Sequence, residues 1–276
     1  MKQRPSFPAR LPDASSEHGS SARADTRRHD LPQMQAVAKP GTPANKPSAR
    51  PMVASAEVSV QDFRAVRRDM VNRLARAGIA DATVLAAMDD IERHRFVDSA
   101  LQGQAYKETS LPIGLGQTIS KPGVVARMIE LLRNGATGKL GRVLEVGTGC
   151  GYQAAVLSLV ASEVYSLERL RGLHDRAREN LRTLRLPNVH LMFGDGMAGY
   201  PKGAPYAGII AAAGGSAVPA AWTDQLAVGG RLVAPVAGHP GGPPGQALIV
   251  IDRTPRGLQQ TIFEAVHFVP LKSGVA

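Results

Sequence analysis

Three glycines, three acids and two hydroxyls are spaced along this chain as a ligand site would need them. Gly147-x-Gly149-x-Gly151 follows directly on Val143-Leu-Glu-Val146, four residues of strand-forming character that include Glu145. A strand ending in glycines lets backbone approach a ligand closely, because no Cβ intervenes. A helix that starts next, as Tyr152 onward suggests, aims free N–H groups at the same place. Glu168 comes seventeen residues after Gly151, and Gly194-Asp195-Gly196 comes later still. Glu168 can accept both hydroxyls of a ribose, and Asp195 with its flanking backbone can read an adenine edge. A dinucleotide turn prefers G-x-G-x-x-G, where a helix start receives a pyrophosphate. Here the spacing is G-x-G-x-G with Glu145 beside it. That negative charge disfavours phosphate and favours a sulfonium with its ammonium group, so S-adenosylmethionine fits better than NAD.

The second constellation lies upstream, in an apolar, glycine-rich stretch that carries Thr118 and Ser120 just before a helical pattern. Ser120 can cap that helix, and the helix start can also offer N–H donors to a carboxylate.

These groups need a frame that brings them together. From Arg142 onward, strand candidates at Val143–Val146, Val164–Leu167, Val189–Phe193, Gly208–Ala212, Arg231–Pro235, Ala247–Ile251 and Val266–Val269 alternate with helix candidates at Tyr152–Ala161, Leu170–Leu184 and Ala220–Leu226. Such alternation predicts an α/β fold: a doubly wound, mainly parallel sheet of about seven strands with helices on both faces. The last two strands have no helix between them and are expected to form an antiparallel edge. The glycine turn, Glu168 and Asp195–Gly196 close three successive strands. In an open sheet these ends share one rim, where an extended ligand can touch all three.

Before this core, Phe63, Val66, Met70, Leu74 and Ala77 make one apolar stripe of an N-terminal helix. Asp81 is a plausible cap for a second helix carrying Val84, Leu85, Met88 and Ile91, and Arg93 to Pro122 reads as loop ahead of a helix over Val124–Leu132. Residues 1–56 hold eight prolines without sustained periodicity, which predicts a disordered extension ahead of a catalytic domain over 57–276.

Composition narrows the function classes. The single Cys150 excludes an internal disulfide and suits a reducing cytoplasm. No apolar run approaches the roughly 18–20 residues that span a bilayer, and Met1–Leu31 lacks the apolar core of a signal peptide. The net charge of +10 is spread out, with nine Lys/Arg against five Asp/Glu in residues 1–58 and twenty-four against eighteen beyond. Few aromatics accompany it, so nucleic acid is not the expected partner. The histidines show no metal-ligand spacing, so no metal is assigned. No coiled-coil pattern appears, and a monomer is the default.

Three segments together resemble one family: Leu-Pro-Ile-Gly-x-Gly-Gln-Thr-Ile-Ser-x-Pro at 111–122, Val-Leu-Glu-Val-Gly-Thr-Gly-x-Gly-Tyr-Gln at 143–153, and Phe-Val-Pro-Leu at 268–271. Over about residues 60 to 272 the chain is similar to the protein-L-isoaspartate O-methyltransferases. The resemblance implies a class I methyltransferase fold that uses S-adenosyl-L-methionine to esterify the free α-carboxylate of L-isoaspartyl residues in damaged proteins and peptides. The ester then closes to a succinimide and reopens partly as aspartate. By motif, Ser120 matches the family's active-site serine, with Thr118 on the same loop. Glu145, Gly147, Thr148, Gly149 and Gly151 match its cofactor turn, Glu168 its ribose-binding acid, and Asp195 and Gly196 its adenine-side pair. Gln246 is a weaker match near the ligands. Gly123 and Tyr206-Ala207-Gly208 depart from the family pattern. The rival readings are a related methyltransferase acting on RNA or a small molecule, and a catalytically weakened binding protein. The chain has no Asn/Asp-Pro-Pro-aromatic motif of the kind that base methylation uses.

Overall fold

The structure, a computed structural model, describes residues 60–238 and 245–276, all within one unit spanning Ser55–Ala276. The extension expected over residues 1–56 lies outside the described residues.

Two helices open the fold, α1 (Val60–Arg76) and α2 (Ala82–Asp90). The Asp81 carboxylate accepts from the Thr83 and Val84 amides at the start of α2, as its cap role predicts, and also from Arg133 Nε at 2.8 Å. The stretch expected to be loop is more ordered than its sequence suggests. It holds two short 3-10 turns (Arg93–Phe96 and Ser99–Gln104) and a hairpin of β1 (Leu111–Gly114) and β2 (Gln117–Ile119), followed by α3 (Pro122–Arg133). The hairpin escapes a period-based reading because its strands are very short and Gly114, Leu115 and Gly116 all turn with positive φ.

The main sheet comprises β3 (Leu140–Val146), β4 (Ala161–Glu168), β5 (Val189–Phe193), β6 (Tyr206–Ala211), β7 (Leu226–Ala237), β8 (Gln246–Thr254) and β9 (Gly257–Val266). Its order is β5-β4-β3-β6-β7-β8-β9. The first five strands in that order pair in parallel; β8 runs antiparallel to β7, and β9 antiparallel to β8. The chain runs outward from β3 to β5 and then returns to the other side of β3, which makes β3/β6 the switch point and opens a crevice at their carboxyl ends.

Residues alternate between the sheet's two faces. Val143, Ile210, Val233 and Val250 pack into one core cluster with residues of α1, α2, α3, α4 (Tyr152–Val160) and α5 (Arg171–Arg182). Their neighbours Leu144, Ile209, Leu232 and Ile249 pack into a second cluster with Trp222 of α6 (Ala220–Gln225). Helices therefore lie on both faces, but unequally. The last strand differs from expectation: β9 ends at Val266, and residues 267–269 leave the sheet. As an edge strand, β9 keeps mostly exposed polar residues such as Gln259 and Glu264 and lacks the apolar run that marked the inner strands. Among the described residues, no helix is long and apolar enough to cross a membrane.

Candidate active site

A single cavity lies over the carboxyl ends of the parallel strands. Its wall includes Gly147, Thr148 and Gly149 after β3, Glu168 at the end of β4, Gly196 after β5, and Ala212 and Ala213 after β6. The same wall includes Thr118 and Ser120, with Ile113 and Leu115 from the β1–β2 hairpin. Hydroxyls and glycine turn, about thirty residues apart in sequence, thus face one space.

The turn is drawn tight by backbone bonds: Gly147 and Thr148 amides donate to the Leu167 carbonyl at 2.9 and 3.1 Å. Gly147 and Gly149 both have positive φ, and a Cβ on Gly149 would stand 3.2 Å from Ile113 Cδ1, on the hairpin wall. Glu168 is buried. One of its carboxylate oxygens accepts from the Gly149 amide at 2.8 Å and the other from the Leu170 amide at 2.9 Å. An ionised carboxylate has about four acceptor sites, so capacity remains for two ligand hydroxyls.

Three of the expected residues lie outside the wall. Glu145 sits fully buried beneath the turn, where the Ser166 hydroxyl donates to it and Thr148 Oγ1 lies 2.6 Å from Ser166 Oγ. Burial pushes its carboxyl up to about 8, against the contrary pull of the Ser166 hydrogen bond. Gly151 faces α5, where a Cβ would come within 3.2 Å of Leu181. Asp195 has both oxygens engaged by backbone: Oδ1 accepts from the Met197 amide at 2.8 Å and Oδ2 from the Gly274 amide at 2.7 Å. Gln246 is likewise turned to structure, exchanging hydrogen bonds with the Phe268 backbone at 2.7 and 3.2 Å.

Sequence reasoning overlooked the segment that closes the cavity. Val269, Pro270, Leu271 and Lys272 line it. Backbone bonds fix this segment on both sides: Gly214 donates to Val269 and accepts from Leu271, while Arg171 donates to Ala276 and Ala276 to Arg169. Phe-Val-Pro-Leu was visible as a motif, but nothing local says that it straps the far rim. Cys150 also lines the wall; burial pushes its thiol up, so it stays neutral and is no nucleophile at neutral pH.

The Gly123 departure has a structural reason. Its amide donates to both oxygens of Glu108 at 3.1 and 3.0 Å, and a Cβ there would stand 2.7 Å from Glu108 Oε1. Glycine lets this carboxylate sit on the first turn of α3.

The cavity can therefore hold a long ligand, with a diol at Glu168, a body along Val146, Leu167 and Leu173, and a reacting end at Thr118 and Ser120. Its lining carries one acid, Glu168, and two basic residues, Arg169 and Lys272.

Comparison with known proteins agrees. The family model described as protein-L-isoaspartate(D-aspartate) O-methyltransferase (PCMT) matches residues 65–276. A protein-L-isoaspartate O-methyltransferase of Leptothrix cholodnii is 55% identical over 241 residues, covering 86% of this chain and 83% of the relative. One from Methylibium petroleiphilum is 52% identical over 272 residues, covering 98% and 96%. Among solved structures, a protein-L-isoaspartate O-methyltransferase superposes with a TM-score of 0.66 at 27% identity, over 76% of this chain and 67% of that one. A Plasmodium falciparum structure described as a beta-aspartate methyltransferase (PCMT) in complex with S-adenosyl-L-homocysteine shares the fold, with a TM-score of 0.65 at 24% identity over 75% and 98%.

Proposed function

The chain belongs to the protein-L-isoaspartate(D-aspartate) O-methyltransferase family, and on that premise we propose how its cavity is divided between cofactor and substrate. The activity is transfer of a methyl group from S-adenosylmethionine to the free α-carboxylate of L-isoaspartyl residues in damaged proteins and peptides, which begins their repair. Gly147, Thr148, Gly149, Glu168 and Gly196 hold the cofactor; Glu145, Gly151 and Asp195 shape that site from behind. Thr118 and Ser120 receive the substrate carboxylate. The observation that carries this division is the shared cavity, whose wall holds the glycine turn and Glu168 together with Thr118 and Ser120.

When bound, S-adenosylmethionine supplies an electrophilic methyl carbon on a positively charged sulfur. The chain's own task is positioning. An isoaspartyl α-carboxylate has a pKa of about 3.5 and is ionised at neutral pH, so no residue need remove a proton. This fits a reacting end made of hydroxyls rather than His or a thiolate. The Ser120 hydroxyl orients the carboxylate, and neutral donors do so without quenching its nucleophilicity as a strong ion pair would. Holding the reacting atoms in line is the catalytic contribution. Ile113, on the strand paired with the one that carries Thr118, adds an apolar wall to the cavity.

The same reading puts the enzyme in a reducing cytoplasm, as its single buried Cys150 suits, and lets one chain act alone, since one chain supplies every wall named above. A crystal structure with S-adenosylhomocysteine and an isoaspartyl peptide tests the division. The sulfur is expected between the glycine turn and Ser120; a nucleoside bound outside this cavity overturns it.

A further inference from the structure

Arg93 is fully buried in the first 3-10 turn, yet it neighbours the reacting end of the cavity. Its Nε donates to the Ala105 carbonyl at 2.7 Å and its Nη2 to the Ser120 carbonyl at 2.6 Å. The guanidinium carbon lies 4.8 Å from the ring centroid of Tyr152, itself a wall residue. Nη1 is buried without a hydrogen-bond partner.

Other buried arginines have acids beside them. Arg133 bonds Asp81 at 2.8 Å, and Arg67 lies 3.6 Å from Glu92 and 3.9 Å from Asp89. Among the described residues, Arg93 has no carboxylate within ion-pair distance. Burying a cation against carbonyls alone is costly, and a neutral donor could have tethered these carbonyls at lower cost.

Resting on the division of the cavity above, we propose that Arg93 is a positioning residue for the substrate carboxylate, fixing Ser120 and supplying the positive potential that draws an anion to the Thr118–Ser120 end. It does so from behind the wall. The guanidinium fastens the Ser120 backbone and the end of the second 3-10 turn to one rigid plane, and its π contact ties that plane to the start of α4. Its charge is poorly screened in this buried setting, so its attraction for an anion in the cavity persists over a longer range than in water. Because Arg93 does not itself clamp the anion, the carboxylate keeps its nucleophilicity. Glu108, held on the Gly123 amide, acts on the guanidinium from beyond ion-pair distance, and substrate binding adds a second negative charge.

The test uses the full chain with R93M, R93Q and R93K. Thermal unfolding, calorimetric affinity for S-adenosylhomocysteine, and steady-state kinetics on an isoaspartyl peptide are measured together. Competition by the same peptide with its isoaspartyl α-carboxylate converted to carboxamide is the added control. R93M and R93Q are expected to raise KM for the carboxylate peptide about ten-fold, the scale of one charge attracting another through a partly buried wall. Affinity for S-adenosylhomocysteine and for the carboxamide peptide should stay near wild type, and R93K should recover most of the KM loss. A tether without an electrostatic role would shift both peptides and the nucleoside together. That pattern, an unchanged KM in a folded neutral variant, or loss of the fold in both neutral variants, overturns the assignment. A wild-type chain that fails to methylate the isoaspartyl peptide sinks the functional reading instead.

Discussion

Glu168 accepts a hydrogen bond from the Gly149 amide at 2.8 Å, so the acid that ends β4 also holds the glycine turn that ends β3. One side chain thereby couples two strand ends on the rim of the proposed cofactor site. Glu168→Ala is expected to weaken S-adenosylhomocysteine binding about 10- to 100-fold, from charge-assisted bonds worth about 1.5–3 kcal/mol. Calorimetry decides it, and wild-type affinity would remove Glu168 from the site.

Ser120→Ala separates substrate positioning from cofactor binding. Methyl transfer to an isoaspartyl peptide should fall by roughly ten-fold or more, the loss of one oriented neutral donor and the alignment it imposes. S-adenosylhomocysteine affinity should hardly change, because the proposed division gives Ser120 to the substrate carboxylate and Glu168 to the nucleoside. Full turnover in the variant would dismiss the assigned role.

Glu145 gives stability a pH dependence of definite sign. Its ordinary value is 4.5, and burial raises it to about 8 in the folded chain. Below about pH 4.5 both states hold the proton and its stabilising effect is complete. Between the two values only the folded state holds it, so stability drains away as pH rises toward 8. Glu145→Gln, neutral throughout, should flatten this decline, and thermal unfolding at pH 5, 6.5 and 8 reads it directly. A wild-type and variant difference that stays constant across these pH values would contradict the assignment.

Asp195 links the turn after β5 to the C-terminal segment through the Met197 and Gly274 amides. Asp195→Ala should cost about 1 kcal/mol through the lost cap and should speed release of bound S-adenosylhomocysteine as the strap over residues 269–276 loosens. Stopped-flow dissociation shows whether the second effect is present; an unaltered release rate would limit Asp195 to local capping.

Much of this could be read from the chain because inner strands are apolar on both faces. Val143–Val146 and Gly208–Ala212 stand out for that reason, and their order fixes the rim. The β1–β2 hairpin and β9 were not legible, one being too short for periodicity and the other too polar. The glycine turn was read as a unit, yet Gly151 serves packing against Leu181 while Gly147 and Gly149 face the cavity. A strand-and-turn pattern specifies backbone, not which side each residue meets. Arg93 and residues 269–272 were invisible as site elements because their roles rest on contacts made across the fold, such as Arg93 with Ser120 and Val269 and Leu271 with Gly214.

The central claim is that one cavity brings a methyl sulfonium to a misplaced peptide carboxylate. Transfer of labelled methyl from S-adenosylmethionine, with isoaspartyl peptide, the matching aspartyl peptide and bulk RNA assayed side by side, tests it most directly. The account predicts base-labile label in the isoaspartyl peptide, and neither of the others labelled comparably; label entering RNA or both peptides equally would contradict it.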